Sequence, residues 1–303
     1  MMKMTDFQQK ITALLPEITL CCNEPMAKHT SFRIGGPAEV MAFPKNAAEL
    51  AQLLKTSALL DCSPAILGAG TNVLAPDAGI TGLVICLKDC MDGMERIDDT
   101  HIRVAAGVTM TRAAVFAAGL GLSGLEFAHG IPGTVGGGVY MNAGAYGGEI
   151  CQVCERVEVM FVDGSVAVYS NEEMKFAYRH SVLEENNGIV LSAIFSLQPK
   201  SADEIKGLMR ELMGKRSASQ PLDLPSAGSA FKRPVGGYAA ALIDQAGLKG
   251  FCVGGAAVSQ KHAGFVVNQN NATAEDVQSL LRQVSDKVFE KSGIRLEPEV
   301  RIW

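Results

Sequence analysis

No stretch of the 303-residue sequence is apolar for long enough to read as a transmembrane helix. The N-terminal MMKMTDFQQKITALLPEI also lacks the continuous apolar centre of a secretory signal. Its apolar positions Phe7, Ile11, Leu14 and Leu15 fall at helical spacing instead. There is no excess of positive charge either. A net charge of −5 and a pI of about 5.6 argue against nucleic acid or an anionic membrane as the main partner, so basic residues that hold a phosphate must act as a local cluster. A second CxxC is missing. The one present, Cys151 and Cys154, lies in CQVCERVEVMFV, which reads as entering a strand; three residues apart, the thiols then face opposite ways and suit shared metal ligation poorly. His262 has no cysteine or histidine partner at metal spacing, so no metal site is expected. The eight cysteines sit mostly in apolar contexts such as LVICL around Cys86, as reduced thiols do, and a cytoplasmic protein with no obligate protein partner is expected.

What the sequence does have is a hydrophobic fraction of 48%, enough for two cores. Asn46 is placed to cap the helix NAAELAQLLKTSALL, and Thr109 the helix TRAAVFAAG. SFRIGGPAEVMAF reads as strand, turn, strand, while PAIL and GLVICL read as short buried strands. MERI and HIRVAA form one expected hairpin, and RVEVMFVDGSVAVYS another, turning at Asp163 and Gly164. IVLSAIFSL is the last strand of this region. The pattern then changes to the amphipathic helix SADEIKGLMRELMGKR, a proline-rich connector, and the helices YAAALIDQAGL and TAEDVQSLLRQVSDKVFEKS around short strands. The fold class is α+β. The expected organisation is an N-terminal helix in 1–19, a larger domain over 20–199, a smaller α/β domain over 200–296, and a strand-like LEPEVRIW whose last residues, 297–303, return to the active site.

GAGTNVLAPDAGI follows PAIL and begins like a dinucleotide fingerprint. Val73 stands where the third glycine should be, and Pro76 and Gly79 forbid the long helix that such a site needs. What remains is a turn of Gly68, Ala69, Gly70, Thr71, Asn72, Val73 and Leu74, whose exposed N–H groups suit a diphosphate. A second glycine-rich stretch, GIPGTVGGGVYMNAGAYGGEI, starts at Gly130. Glycine inside a helix costs roughly 1 kcal/mol against alanine, so close approach of backbone to a ligand is one reason to keep it there. Pro132 stiffens this run, and Thr134 is a candidate donor to a phosphate or a ring. Two such loops suit a long ligand carrying a diphosphate and a planar ring.

HTSFRIGGPAEV, LGAGTNVL, EFAHGIPGTVGGGVYMNAGAYGGEI, YRHS, SAGSAFKRP, GGAAVSQKHAGFVVN and LEPEVRI occur in that order. Together they strongly resemble the UDP-N-acetylenolpyruvoylglucosamine reductases of peptidoglycan synthesis, over about residues 19–302. The resemblance implies an FAD-binding domain of the vanillyl-alcohol-oxidase type followed by a smaller substrate-binding domain. It also implies non-covalent FAD, NADPH as reductant, and the enolpyruvyl ether of UDP-N-acetylglucosamine as substrate. On the FAD side it implies Arg33, the Gly68–Leu74 turn, Gly130, Ile131, Pro132, Gly133, Thr134, Gly136, Gly137, Asn142 and Ala145. His129, before GIPG, and Arg233, after FK, depart from the forms common in the family. The short segment after Arg179 looks like the subgroup without an inserted substrate-capping loop, so another residue must close over the diphosphate.

Reduction of an enol ether puts negative charge next to a carboxylate and then needs a proton. The resemblance implies Arg179 of YRHS as the cation, Ser229 of GSAFK as the proton donor, with Lys232 able to lower its hydroxyl pKa, and Glu299 as a protonated carboxyl facing the enolate. Glu297 shares the expected strand face with Glu299, so alternation does not separate them; only the family ending does. Lys215, Arg216, Gln220, Lys232, Arg233, Tyr238, Lys261 and His262 are the candidates for the UDP group, although each residue type is common on ordinary surfaces. An FAD-dependent hydroxy-acid oxidase on the same fold, and a non-catalytic flavin or nucleotide-sugar binding module, remain as alternatives.

Overall fold

Side chains that find partners within one turn open the helices. Thr5 begins Asp6–Leu14 with a reciprocal cap: its hydroxyl accepts from the Gln8 amide, and the Gln8 side chain accepts from Thr5 N. Asn46 accepts from Glu49 N ahead of Ala47–Leu59, and Thr109 from Arg112 N ahead of Met110–Gly119, both as the sequence leads one to expect. The structure, a computed structural model, describes residues 4–303; the first three residues of the expected N-terminal segment lie outside that range.

Two compact units result. The first comprises the described part of Met1–Cys22 together with Glu39–Ala69 and Gly82–Lys215; the second comprises Asn23–Ala38, Gly70–Thr81 and Arg216–Trp303. This differs from a division near residue 199. Phe32, Ile34 and Leu74 join the apolar core of the second unit, whereas Ile205 and Met209 of the helix Ala202–Ser219 join that of the first. Core membership follows where apolar side chains are buried, and the change of composition near Pro199 does not report that.

In the first unit an antiparallel sheet runs Val166–Ser170, Cys154–Met160, Ile189–Ser196, His101–Ala105, Met94–Arg96. Both expected hairpins lie in it. A second sheet orders Thr19–Pro25, Pro37–Phe43, Ile80–Cys86 and Ala65–Leu67, the last pair parallel. The first strand expected in SFRIGGPAEVMAF does not form. Arg33 N bonds to Thr30 O and Arg33 has φ 55°, a left-handed conformation that stops an extended run; the strand lies earlier, at Thr19–Pro25. Strand structure in LEPEVRIW is also shorter than expected, limited to Arg301–Ile302, which pairs in parallel with Val73–Leu74.

The second unit packs the sheet Ser226–Ser229, Phe265–Asn268, Ala256–Val258, Cys252–Val253 with the helices Ala239–Gln245 and Ala274–Ser292. Val277, Leu280, Leu281, Val284 and Val288 form the buried stripe of the long helix. Its first turn is satisfied from far away in sequence: the Asp77 carboxylate accepts from Ala274 N at 2.8 Å and Glu275 N at 3.2 Å. Asp276 accepts from Thr273 N at 3.0 Å and Gly255 N at 3.1 Å, and these backbone donors, Thr273 first, hold its carboxyl below the ordinary 3.8.

Asp77→Ala strands two helix N–H groups and should destabilise the protein by about 1–2 kcal/mol, with Asp77→Asn milder, as read from chemical denaturation. The lowered Asp276 pKa ties part of the stability to the ionised carboxylate. Its contribution is complete above the ordinary value of 3.8 and is lost as pH falls through the lower folded value. Asp276→Asn should therefore flatten the acid limb of the stability–pH curve below about pH 4 while leaving its neutral region parallel to wild type.

Candidate active site

The glycine run turns out to contain a helix, Val135–Tyr140, capped by Thr134, whose hydroxyl accepts from Gly137 N. Two of its glycines are closely approached by neighbouring chain. A Cβ on Gly138 would meet the Met110 sulfur at 2.7 Å, and one on Gly136 the Ala106 Cβ at 3.0 Å. Gly137 is exposed. The two glycine-rich loops touch, since a Cβ on Gly68 would meet the Thr134 hydroxyl at 2.5 Å. Thr134 is itself only 2% exposed, so this hydroxyl serves the helix start and the Gly68 contact rather than a free edge. Ile131 N bonds to Ala128 O and Met110 N to Gly133 O, leaving Pro132 exposed between them beside Gly130. His129, just ahead of this loop, holds the Thr111 hydroxyl on its carbonyl at 2.6 Å, while its ring Nδ1 is buried with no hydrogen-bond partner. Such an orphan next to GIPG fits a ligand that brings its own polar atoms.

After the helix, Gly144–Ala145 and Gly148–Glu149 make a small hairpin through Tyr146 and Gly147, both at positive φ. Asn142 precedes it and is 2% exposed. Its Nδ2 donates to Ala177 O and Glu149 Oε2, both at 3.1 Å, and its Oδ1 accepts from Cys151 N at 2.9 Å. That amide is committed to the protein, so an FAD contact from Asn142 is left to its backbone. Ala177 and His180 close a tight turn with Tyr178 and Arg179 at its tip; the guanidinium lies 5.0 Å from the Tyr178 ring centroid. Cys151 sits in a 3₁₀ turn, Ile150–Gln152, rather than on the strand expected for it, so the opposite-face reasoning does not hold there. Burial pushes the Cys151 thiol up and Cys154 up to about 12, which disfavours thiolate chemistry at either.

In the second unit Ser229, Glu299 and Asn72 are brought together. Lys232 N donates to Glu297 O at 2.9 Å and Glu299 N to Ala230 O at 2.9 Å, a short antiparallel clasp about the Phe231–Pro298 bridge. Ser229 lies at its mouth, exposed at the end of its strand. Asn72 Nδ2 donates to Glu299 O at 3.1 Å, and Arg301 N to Asn72 O at 2.9 Å. The turn expected to hold a phosphate is thus laced to the segment carrying Glu299, and Val73 and Leu74 continue that pairing. Ser31 N bonds to Gly70 O, which sets Thr71 next to the turn that carries the exposed Arg33. Lys232 has a partner other than the expected Ser229: its ammonium lies 3.5 Å from Glu297, both side chains being largely exposed. Glu297 and Glu299 are accordingly different, one ion-paired at the surface and the other half-buried against Asn72.

The candidates for a nucleotide separate as well. Arg216 Nε donates to Gln220 Oε1 at 2.8 Å, Lys261 Nζ to Ser217 O at 2.6 Å, and Arg233 stacks 4.1 Å over the Tyr238 ring. His262 packs edge-on to Phe265, its Nδ1 accepts from Gly264 N, and burial lowers its pKa, so at neutral pH it offers a donor and no charge. Lys215 belongs to the first unit and pairs with Glu211 at 2.7 Å along its own helix. Two site features escaped the sequence, the Asp77 cap and the anchoring of Ser181, whose hydroxyl donates to Tyr140 O at 2.7 Å. Ser181 stands in YRHS, so the motif itself was its signal; Asp77 had none.

Comparison with known proteins bears on both units. Residues 38–170 match the FAD binding domain family, and residues 220–303 the C-terminal domain of UDP-N-acetylenolpyruvoylglucosamine reductase. Proteins of that name from Caldanaerobacter subterraneus subsp. tengcongensis and Agathobacter rectalis are 47% and 46% identical to this chain. The alignments cover 97% and 98% of it, and 96% and 98% of the relatives. The crystal structure of UDP-N-acetylenolpyruvylglucosamine reductase from Thermus caldophilus superposes with a TM-score of 0.80 at 36% identity, over 95% of this chain and 99% of that one. With the FAD-binding and reductase domains in the expected order and relatives this similar along nearly all of its length, the chain belongs to the UDP-N-acetylenolpyruvoylglucosamine reductase family.

Proposed function

We propose that this chain reduces the enolpyruvyl ether of UDP-N-acetylglucosamine to the lactyl ether, in the cytoplasm, using non-covalently held FAD and NADPH. Bound FAD supplies the hydride that the protein has no side chain to provide. The protein residues bind, orient and move the proton. Arg33, Gly68–Leu74, Gly130–Gly133 and Ala145 are the proposed FAD residues, and the buried, unpartnered His129 Nδ1 beside Gly130 fits a polar ligand.

Arg179 is assigned to the substrate carboxylate. A guanidinium offers a planar fork, and its attraction grows as charge develops next to that carboxylate. Ser229 is assigned as proton donor to the carbon that becomes carbanionic. A serine hydroxyl is a weak acid, yet the carbanion is a strong base, so placement matters more than acidity. Glu299 is assigned to the enolate oxygen as a hydrogen-bonding carboxyl. The single observation that carries these roles is the clasp between 230–232 and 297–299, which joins the chain segments of Ser229 and Glu299 by backbone hydrogen bonds and leaves Glu297 on Lys232. Arg216 with Gln220, Lys261, His262 and the Arg233–Tyr238 stack are assigned to the UDP group, with Lys215 and Lys232 as peripheral charges.

The test follows the flavin absorbance of the purified protein without oxygen. NADPH should bleach it, and the enolpyruvyl nucleotide should restore it. Restoration by oxygen alone would indicate an oxidase, and failure to bleach a binding module.

Ser229→Ala should leave bleaching by NADPH near its wild-type rate and slow restoration by the nucleotide at least about a hundredfold. Equal slowing of both half-reactions would point to a cofactor or folding defect, and unchanged restoration would remove Ser229 from the chemistry.

Glu299→Ala should slow restoration strongly and Glu299→Gln less, because the amide still donates. Glu297→Ala, which removes an exposed ion pair, should stay within about threefold of wild type. The reverse order in stopped-flow traces would make Glu297 the working carboxylate.

A further inference from the structure

Arg179 has φ 54° at the tip of the turn closed by Ala177 and His180, a conformation that an L-residue with a long side chain adopts at a cost. Something outside the turn must hold it. The two residues flanking it on either side are both tied to one place. Two residues before the arginine, Ala177 O accepts from Asn142 Nδ2 at 3.1 Å; two residues after it, Ser181 Oγ donates to Tyr140 O at 2.7 Å. Tyr140 and Asn142 are the last residue of the helix Val135–Tyr140 and the second residue beyond it. Asn142 and Ser181 are 2% and 0% exposed, so water does not compete for these bonds. Asn142 is in turn held by Cys151 N and Glu149, and its own positive φ of 42° suits asparagine better than most residues. The next residue, His180, is itself held by Glu184, 2.9 Å from its ring.

We propose that Asn142 and Ser181 are positioning residues for the reaction, bracketing Arg179 and fixing its turn to the end of the helix that the glycine run forms. This rests on Arg179 being the carboxylate-binding cation. Small misplacement of a guanidinium that contacts developing charge is costly. The bracket gives it the frame of the Val135–Tyr140 helix. It also accounts for the serine of YRHS, which touches no ligand-facing surface, and for the asparagine of MNAG, whose amide is fully occupied within the protein.

The test is a double-mutant cycle on the restoration half-reaction, with Ser181→Ala as the first variant. Bleaching by NADPH should keep its wild-type rate. Restoration by the nucleotide should slow by roughly tenfold or more in the first-order rate at saturation. In an Arg179→Lys background the same Ser181→Ala change should slow restoration by less than about twofold, because the geometry it protects is already lost. Asn142→Asp, which keeps the Oδ1 acceptor for Cys151 N and removes the donor to both Ala177 and Glu149, should slow restoration as well. Full additivity of Ser181→Ala with a slow Arg179→Lys would overturn the positioning role and leave Arg179 in the mechanism. Wild-type restoration in Arg179→Lys would remove the arginine, and this proposal with it. If Ser181→Ala loses flavin or melts early, the cycle is read with Asn142→Asp; loss of flavin in both variants would mark a folding clasp and overturn the proposal.

Discussion

Two backbone hydrogen bonds, Lys232 N to Glu297 O and Glu299 N to Ala230 O, determine what the second unit can do. They set the register between segments more than sixty residues apart, and register decides which of two glutamates faces Asn72. A slip of one residue would turn both glutamates away from that face, and a slip of two would exchange them. Asn72 then locks the same segment by donating to Glu299 O and accepting from Arg301 N. The arrangement costs little, because backbone groups at a strand end need partners in any case. Its value lies in holding the segments that carry Ser229 and Glu299 and the turn at Asn72 in fixed relation.

Local features were legible in the sequence where both partners lie within a few residues. Asn46 and Thr109 cap the helices they were expected to cap, and Asp163 takes Ser165 N in the turn of the expected hairpin. Lys215 and Glu211 stand one helical turn apart, and their pairing follows from that spacing. Long-range features were not legible. Asp77 reads as an ordinary turn residue in APDAG, yet it serves amides at Ala274 and Glu275, 197 and 198 positions away. Nothing near Asn72 indicates a partner 227 positions on. The choice between Glu297 and Glu299 was open by alternation because both share parity, and only burial and pairing separate them. Family likeness supplied the proposed site residues, and the structure shows which hydrogen bonds hold their chain segments.

The glycine run shows why a composition signal can be read correctly as special and incompletely as to cause. Close approach was expected, and close approach is what Gly68, Gly136 and Gly138 make, but to Thr134, Ala106 and Met110 of the same protein. Ligand approach and chain approach place the same demand on the backbone, namely the absence of a Cβ. Gly137, exposed on the same short helix, is a position in the run where neighbouring chain leaves room for a Cβ.

Phe32, Ile34 and Leu74 are buried with Val277, Leu280 and Val284, although Gly82–Lys215 of the first unit is synthesised between them. A growing polypeptide therefore exposes these early apolar side chains until the residues after Arg216 have emerged. Contacts of such sequence separation form slowly, and unsatisfied apolar surface in the interval invites association with other chains. Biogenesis of this protein thus has a built-in waiting period: the first unit can acquire its core while the two early segments of the second await the residues after Arg216, and the parallel strand at Arg301–Ile302 can close only after nearly everything else has been made.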